Sequence, residues 1–146
     1  METCPICVKH EGSVVGDPIY EDILVYAHHV YNDQGETFLG YVRVETQRHV
    51  PSFAELTAAE AQAVGLLVAR LSRALKGCTG ADHVYVFFYG DHVPHLHLHV
   101  FARYPGTPEE YWRERVGEWS GSPKGGADEV AALCERLRAS LASAAA

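Results

Sequence analysis

Apolar residues recur along this chain with two different periods, and the change of period separates strands from helices. From Thr57 to Lys76, Val64, Leu67, Val68, Leu71 and Leu75 follow the three-to-four-residue spacing of one helical face. Thr57 and Glu60 make a capping box at the start of this helix, and Gly77 supplies a stop. Ile19-Tyr20, Leu24–His29 and Phe38–Thr46 read as strands, as does the β-branched and aromatic run Val84–Phe88. Asn32-Asp33-Gln34-Gly35 is a turn, and Tyr89-Gly90-Asp91-His92-Val93-Pro94 returns the chain antiparallel into a further strand, His95–Phe101. Pro108–Glu118 and Asp128–Leu141 predict helices around a Gly121–Gly126 loop. Trp112 and Trp119, seven apart, fall on one packing face of the first, and Cys134 falls on the apolar stripe of the second as a buried thiol. The whole is an α+β fold with a mostly antiparallel sheet, one long helix and C-terminal helices.

The last strand carries the strongest chemical signal. Side chains alternate across a strand, so the imidazoles of His95, His97 and His99 share one face, roughly 6–7 Å apart, while Leu96, Leu98 and Val100 face a core. Such a row can bind a metal, stabilise a phosphate, or place a nucleophilic imidazole between two assistants. The alternative is a polar strand face that merely repeats histidine.

A second motif argues against that alternative. Cys4-Pro5-Ile6-Cys7 can present two sulfurs to one tetrahedral ion, usually zinc. A redox pair fits poorly, because three preceding residues leave no room for the strand that a thioredoxin-like motif follows. Two ligands do not complete a structural zinc site, and histidines near the other motif are natural suppliers of the rest. That need links the two ends of the sequence.

Composition narrows the function further. The 146 residues are 47% hydrophobic and 21% charged, enough for one domain with a real core. No apolar run approaches the ~20 residues of a membrane span, and no basic region followed by an apolar one opens the chain, so a cytoplasmic protein is expected. The four cysteines suggest no disulfide framework. The net charge of −7 and the lack of a basic run argue against a polynucleotide partner, Arg70, Arg73 and Lys76 reading as a solvated helix face. A small phosphorylated molecule remains compatible with this balance.

His95-Leu96-His97-Leu98-His99-Val100-Phe101 resembles the histidine-triad motif of the HIT superfamily of nucleotidyl hydrolases and transferases. Tyr20-Glu21-Asp22 resembles the family's aromatic-Glu-Asp strand entry, and Gly40–His49 its strand ending in Pro-Lys-Arg-His before a helix. The resemblance covers about residues 4 to 104, within a single HIT-like domain over 1–146 whose last forty residues form a C-terminal helical extension. Zinc-containing branches join a CxxC to two histidines, which implies Cys4, Cys7, His49 and His95 as ligands of a structural zinc here, with His10 as a fallback ligand.

The resemblance also implies roles. His97 is the nucleophile that takes the nucleotidyl group, and His99 binds the phosphate or assists the leaving group. Gly90, Asp91 and His92 occupy the phosphate-contacting run, where an ionised Asp91 would repel a phosphate and is expected instead to orient His92 or His99. Tyr20 and Ile23, with Val25, would line a base pocket. His28 or His29 stands where relatives carry a ribose-binding carboxylate, and their alternation lets at most one face the site. The expected activity is hydrolysis of small nucleotide conjugates, nucleoside phosphoramidates or dinucleoside polyphosphates, by a homodimer. Competing readings are a nucleotidyltransferase, three histidines around one catalytic metal, and a nucleotide-binding module with little turnover.

Overall fold

The structure is a computed structural model and describes residues 3–143. Five antiparallel strands form one sheet in the order β1-β2-β4-β6-β5: β1 Tyr20–Glu21, β2 Val25–His29, β4 Tyr41–Thr46, β5 His83–Phe87 and β6 His97–Arg103. A second, two-stranded sheet pairs β3 (Thr37–Phe38) with β7 (Lys124–Gly125). Three α-helices complete the fold: α1 Pro5–Glu11, α2 Ala58–Thr79 and α3 Ala127–Ser143.

The period-two pattern gives each central strand two different faces. Val25 and Ala27 of β2, Val42 and Val44 of β4, and Leu98, Val100 and Ala102 of β6 pack in one core with α2 and α3. Val64, Leu67, Leu71 and Leu75 are the buried stripe of α2, and Val130, Leu133, Cys134 and Leu137 that of α3. Burial pushes the Cys134 thiol pKa up, as expected of an inert core cysteine. The capping box at Thr57 and Glu60 is present in full.

Several boundaries differ from expectation, each for a local reason. The helix α2 runs through Gly77, whose Cβ position is open, and ends at Gly80 in the left-handed conformation (φ 75°). The stretch Phe38–Thr46 is two strands in two sheets: Gly40 between them takes φ 143°, where an added Cβ would lie 3.0 Å from Ala102 Cβ. Pro108–Glu118 is not an α-helix but two 3-10 turns, Glu109–Tyr111 and Arg113–Glu118, because Arg113 adopts φ 65° at their junction. Trp112 and Trp119 therefore share no helical face; Trp112 instead stacks on the Arg103 guanidinium, 3.9 Å away. Regular β6 pairing begins at His97 rather than His95. Leu96 still bonds Val50 and Thr46, while the His95 amide closes a tight turn on Val93 O at 2.8 Å.

Leu71 has no exposed surface and belongs to the core that the sheet, α2 and α3 share. Leu71→Ala should therefore destabilise the fold by about 2–5 kcal/mol. Urea unfolding should read this as a lower midpoint with an unchanged slope.

Candidate active site and metal cluster

The face of the sheet opposite the core carries the chemistry. Glu45 of β4 pairs with His97, Arg43 with His99 and Tyr41 with Phe101, while Tyr26 and His28 of β2 pair with Glu45 and Arg43 from the other side. Over this face lie α1, which sequence patterning missed, and the 3-10 segment Arg113–Glu118, which packs on β6.

One ligand atom each from Cys4, Cys7, His49 and His95 lies within 4.8 Å of all the others. His95 Nδ1 stands 3.5 Å from both sulfurs, and His49 Nδ1 stands 3.6 Å from Cys7 Sγ. Bonds of ~2.3 Å to sulfur and ~2.0–2.1 Å to nitrogen, at a tetrahedral angle, give a sulfur–nitrogen edge of roughly 3.6 Å. Those three sulfur–nitrogen distances thus match the edges of a tetrahedral site. His95 Nε2–H donates to Thr46 O at 2.6 Å, which fixes the tautomer that leaves Nδ1 free to ligate. Burial also pushes the His95 pKa down, keeping its ring neutral. His10 takes no part in this cluster.

Beside the cluster, His97 is oriented by the chain itself. Its Nδ1–H donates to the His95 carbonyl at 2.7 Å, so the lone pair resides on Nε2. His97 is 8% exposed and opens on a cleft of about 750 Å³. His99 lies 5.1 Å away, ring centroid to centroid, and lines the same cleft. Tyr41 Oη accepts a hydrogen bond from Arg43 Nε at 3.2 Å and shares a second one, 2.5 Å long, with His99 Nδ1. Burial, with the nearby Arg43 and His97, pushes the His99 pKa down to about 4. His97 thus offers a lone pair to the cleft, with the neutral His99 ring beside it.

A buried polar network, unforeseen from sequence, underlies this pair. Glu45 is fully buried, with Lys9 ion-paired to Oε2, His10 Nε2 at 2.8 Å from Oε1 and His28 alongside. Burial alone would raise its pKa; His10, His28 and Lys9 outweigh that and hold it below the usual carboxylate range. Lys9 also donates to His28 Nε2 at 2.8 Å. The network and the cysteine–histidine cluster clamp the same helix, α1, to the sheet.

Gly90, Asp91 and His92 line the cleft with His97 and His99, as do Lys9, Arg43, Tyr89 and Glu114. No hydrogen bond joins Asp91 to His92 or His99 among the described residues. Tyr20 and Ile23 are not brought to this cleft. The β1–β2 hairpin forms the sheet edge three strands from β6, ~14 Å at ordinary strand spacing. There Tyr20 donates to Asp22, and Ile23 is 91% exposed. Val25 faces the core. His28 joins the Glu45 network, and His29, on the opposite face, accepts from the Gly40 amide at 3.0 Å.

A histidine-lined cleft beside a Cys₂His₂ cluster on an antiparallel sheet defines the class. The HIT domain family profile matches residues 14–106, more than half of the chain, and the chain belongs to this family. Its fold is similar to that of a hypothetical histidine triad nucleotide-binding protein from Sulfolobus tokodaii (18% identity, 95% of this chain and 92% of that one, TM-score 0.69). It is similar also to a histidine triad protein from Sinorhizobium meliloti (22%, 94% and 96%, 0.67) and to a Zn-bound histidine triad family protein from Mycobacterium smegmatis (21%, 96% and 94%, 0.67). No curated protein matches the sequence.

The lowered pKa of His99 has a direct test. With about 4 in the fold against 6.5 ordinarily, the unfolded chain takes the proton first as pH falls. The neutral ring then favours the native state above pH ~6.5, and that contribution is lost as pH drops through ~4. Nuclear magnetic resonance should find the His99 ring shift constant from pH ~8 to ~5.5 and moving only near pH ~4.

Proposed function

We propose that this chain is a HIT-type nucleotidyl hydrolase that cleaves small nucleotide conjugates, nucleoside phosphoramidates or dinucleoside polyphosphates, through a covalent nucleotidyl-His97 intermediate. The observation that carries the reading is the His97 Nδ1–His95 O bond, which aims an unprotonated Nε2 into a cleft large enough for a nucleotide. In the first step the Nε2 lone pair bonds to phosphorus, the bond from phosphorus to the leaving group breaks, and the leaving group departs with that electron pair, an amine taking up a proton from water as it leaves. In the second step water attacks the same phosphorus and gives up a proton to solvent, the nitrogen–phosphorus bond breaks with its electron pair returning to Nε2, and the nucleotide leaves with the new oxygen. In this reading the Tyr41 hydroxyl donates to His99 Nδ1, and His99 Nε2–H donates to a phosphate oxygen as charge develops there.

The Cys₂His₂ set is read as a structural zinc site, since four nitrogen and sulfur ligands leave no position for a reacting water. When bound, the ion adds a fixed tetrahedral cross-link. His95 and His49 hold the middle strand and the start of β6 to α1, and the His95 carbonyl holds His97. The reading extends to a cytoplasmic protein whose whole chain acts as one HIT-like domain. No helix of the described residues is long and apolar enough to cross a membrane. It extends also to a homodimer, for which the uncovered edge of β5, with Val86 exposed, supplies a surface.

Two measurements test the assignment. His97→Ala should lower turnover of an adenosine phosphoramidate by about a thousandfold or more, with fold and metal content retained. Acid-quenched wild-type enzyme should show a nucleotidyl mass on the peptide containing His97. Retained activity in the variant would refute the mechanism, product diverted to added phosphate would make it a transferase, and binding without adduct or turnover would make it a binding module. Separately, Cys7→Ser should reduce zinc from about one ion per chain to near zero by elemental analysis, while His10→Ala should not.

A further inference from the structure

We propose that Arg43 forms a subsite for a second anionic group beside the attacked phosphorus, so that the preferred substrates carry a further phosphate next to the one His97 engages. This rests on the reading of His97 as the nucleophile and narrows its substrate class from nucleotide conjugates in general to phosphoanhydrides.

Arg43 stands between two cavities. It lines the 750 Å³ cleft of His97 and His99, and also a neighbouring space of about 280 Å³ bounded by Val14, His28, Val30 and Tyr31. Its backbone pairs with His99 on one side and His28 on the other. That register puts it diagonal to His97, ~7–8 Å away between backbones, within reach of a long side chain. Lys9 lines both cavities too, but its ammonium is committed to Glu45 and His28.

Arg43 is committed far less. Only its Nε–H is used, on the Tyr41 hydroxyl, and the guanidinium carbon lies 5.7 Å from that ring's centroid. Both Nη groups have no protein acceptor among the described residues. A guanidinium held at one edge, with its outer fork free, is prepared for bidentate contact with an oxyanion. The acidic residues on the cleft, Asp91 from the loop before β6 and Glu114 from the 3-10 segment, would repel a second phosphate and direct it toward Arg43.

A carboxylate on an amino-acid leaving group offers the same bidentate edge, and the test separates the two sources. Calorimetry of the chain with adenosine monophosphate and diphosphate should show the diphosphate bound about tenfold or more tighter. Arg43→Gln should bring that ratio close to one, and Arg43→Lys, which keeps a point charge without the fork, should give an intermediate value. A ratio near one in the wild type, or an undiminished ratio in Arg43→Gln, would overturn the subsite. In a His97→Ala background, the alanine amidate of adenosine monophosphate should bind no tighter than the monophosphate itself; Arg43-dependent binding as tight as that of the diphosphate would overturn the assignment to phosphate. None of these readouts needs turnover. A chain that shows the ratio and forms no adduct would fail the reaction proposed above while satisfying the subsite.

Discussion

The carbonyl of His95 accepts the Nδ1–H of His97, and the direction in which His97 Nε2 points depends on how firmly His95 is held. His95 is fully buried, and both its ring nitrogens are occupied, Nε2 by the Thr46 carbonyl and Nδ1 by the two sulfurs of the cluster. Each constraint comes from a different part of the chain: the N-terminal helix, the end of β4, and the turn into β6. The cysteine–histidine cluster, sheet pairing and imidazole orientation are therefore coupled through one residue. A disturbance at the cysteines would reach His97 through two hydrogen bonds rather than through contact with the cleft.

The electrostatics of the site follow from a separation of charge across the same strands. Glu45 sits directly opposite His97 in register, yet its charge is met within the layer beneath α1 by Lys9, His10 and His28. A buried carboxylate left unpaired there would cost several kcal/mol. One strand position along, Arg43 is not neutralised in this way, and it faces His99, whose ring burial keeps neutral. In a chain of net charge −7, attraction for a phosphate is local and comes from a few oriented groups. That arrangement suits a small anion.

What could be read in the sequence was what periodicity and spacing encode. The alternating histidines, the CxxC, the capped helix from Thr57 and the antiparallel return at residues 89–94 each rest on a local rule, and the four-residue ligand set assembles as the family resemblance implies. The Glu45 network was not legible, because a glutamate on a strand's polar face is ordinarily exposed, and only the unpredicted helix α1 buries it. Its seven residues are too few for a periodic signal, although Pro5 at the first helical position was a clue. Tyr20 and Ile23 illustrate the opposite problem. Their sequence context marks an element correctly, but the order of strands in the sheet, which decides distance from β6, is not written in any local pattern.

Under the proposed reaction, the two faces of β6 divide the chemistry from its selectivity. Leu98, Val100 and Ala102 are locked between neighbouring strands and the α2–α3 layer, so His97 and His99 cannot shift without moving the core. Chemistry needing sub-ångström placement is carried by that rigid element. The cleft's outer walls come instead from the 89–94 turn and the 3-10 segment bearing Glu114, irregular backbone tied down by Arg103 on Trp112 and by Arg115 on the Glu110 carbonyl. Such segments tolerate change without disturbing the core, and selectivity for the leaving group can vary there independently of the triad. Arg43 is the exception among the wall residues: it stands on a central strand, so any preference it imposes is built into the rigid part of the fold.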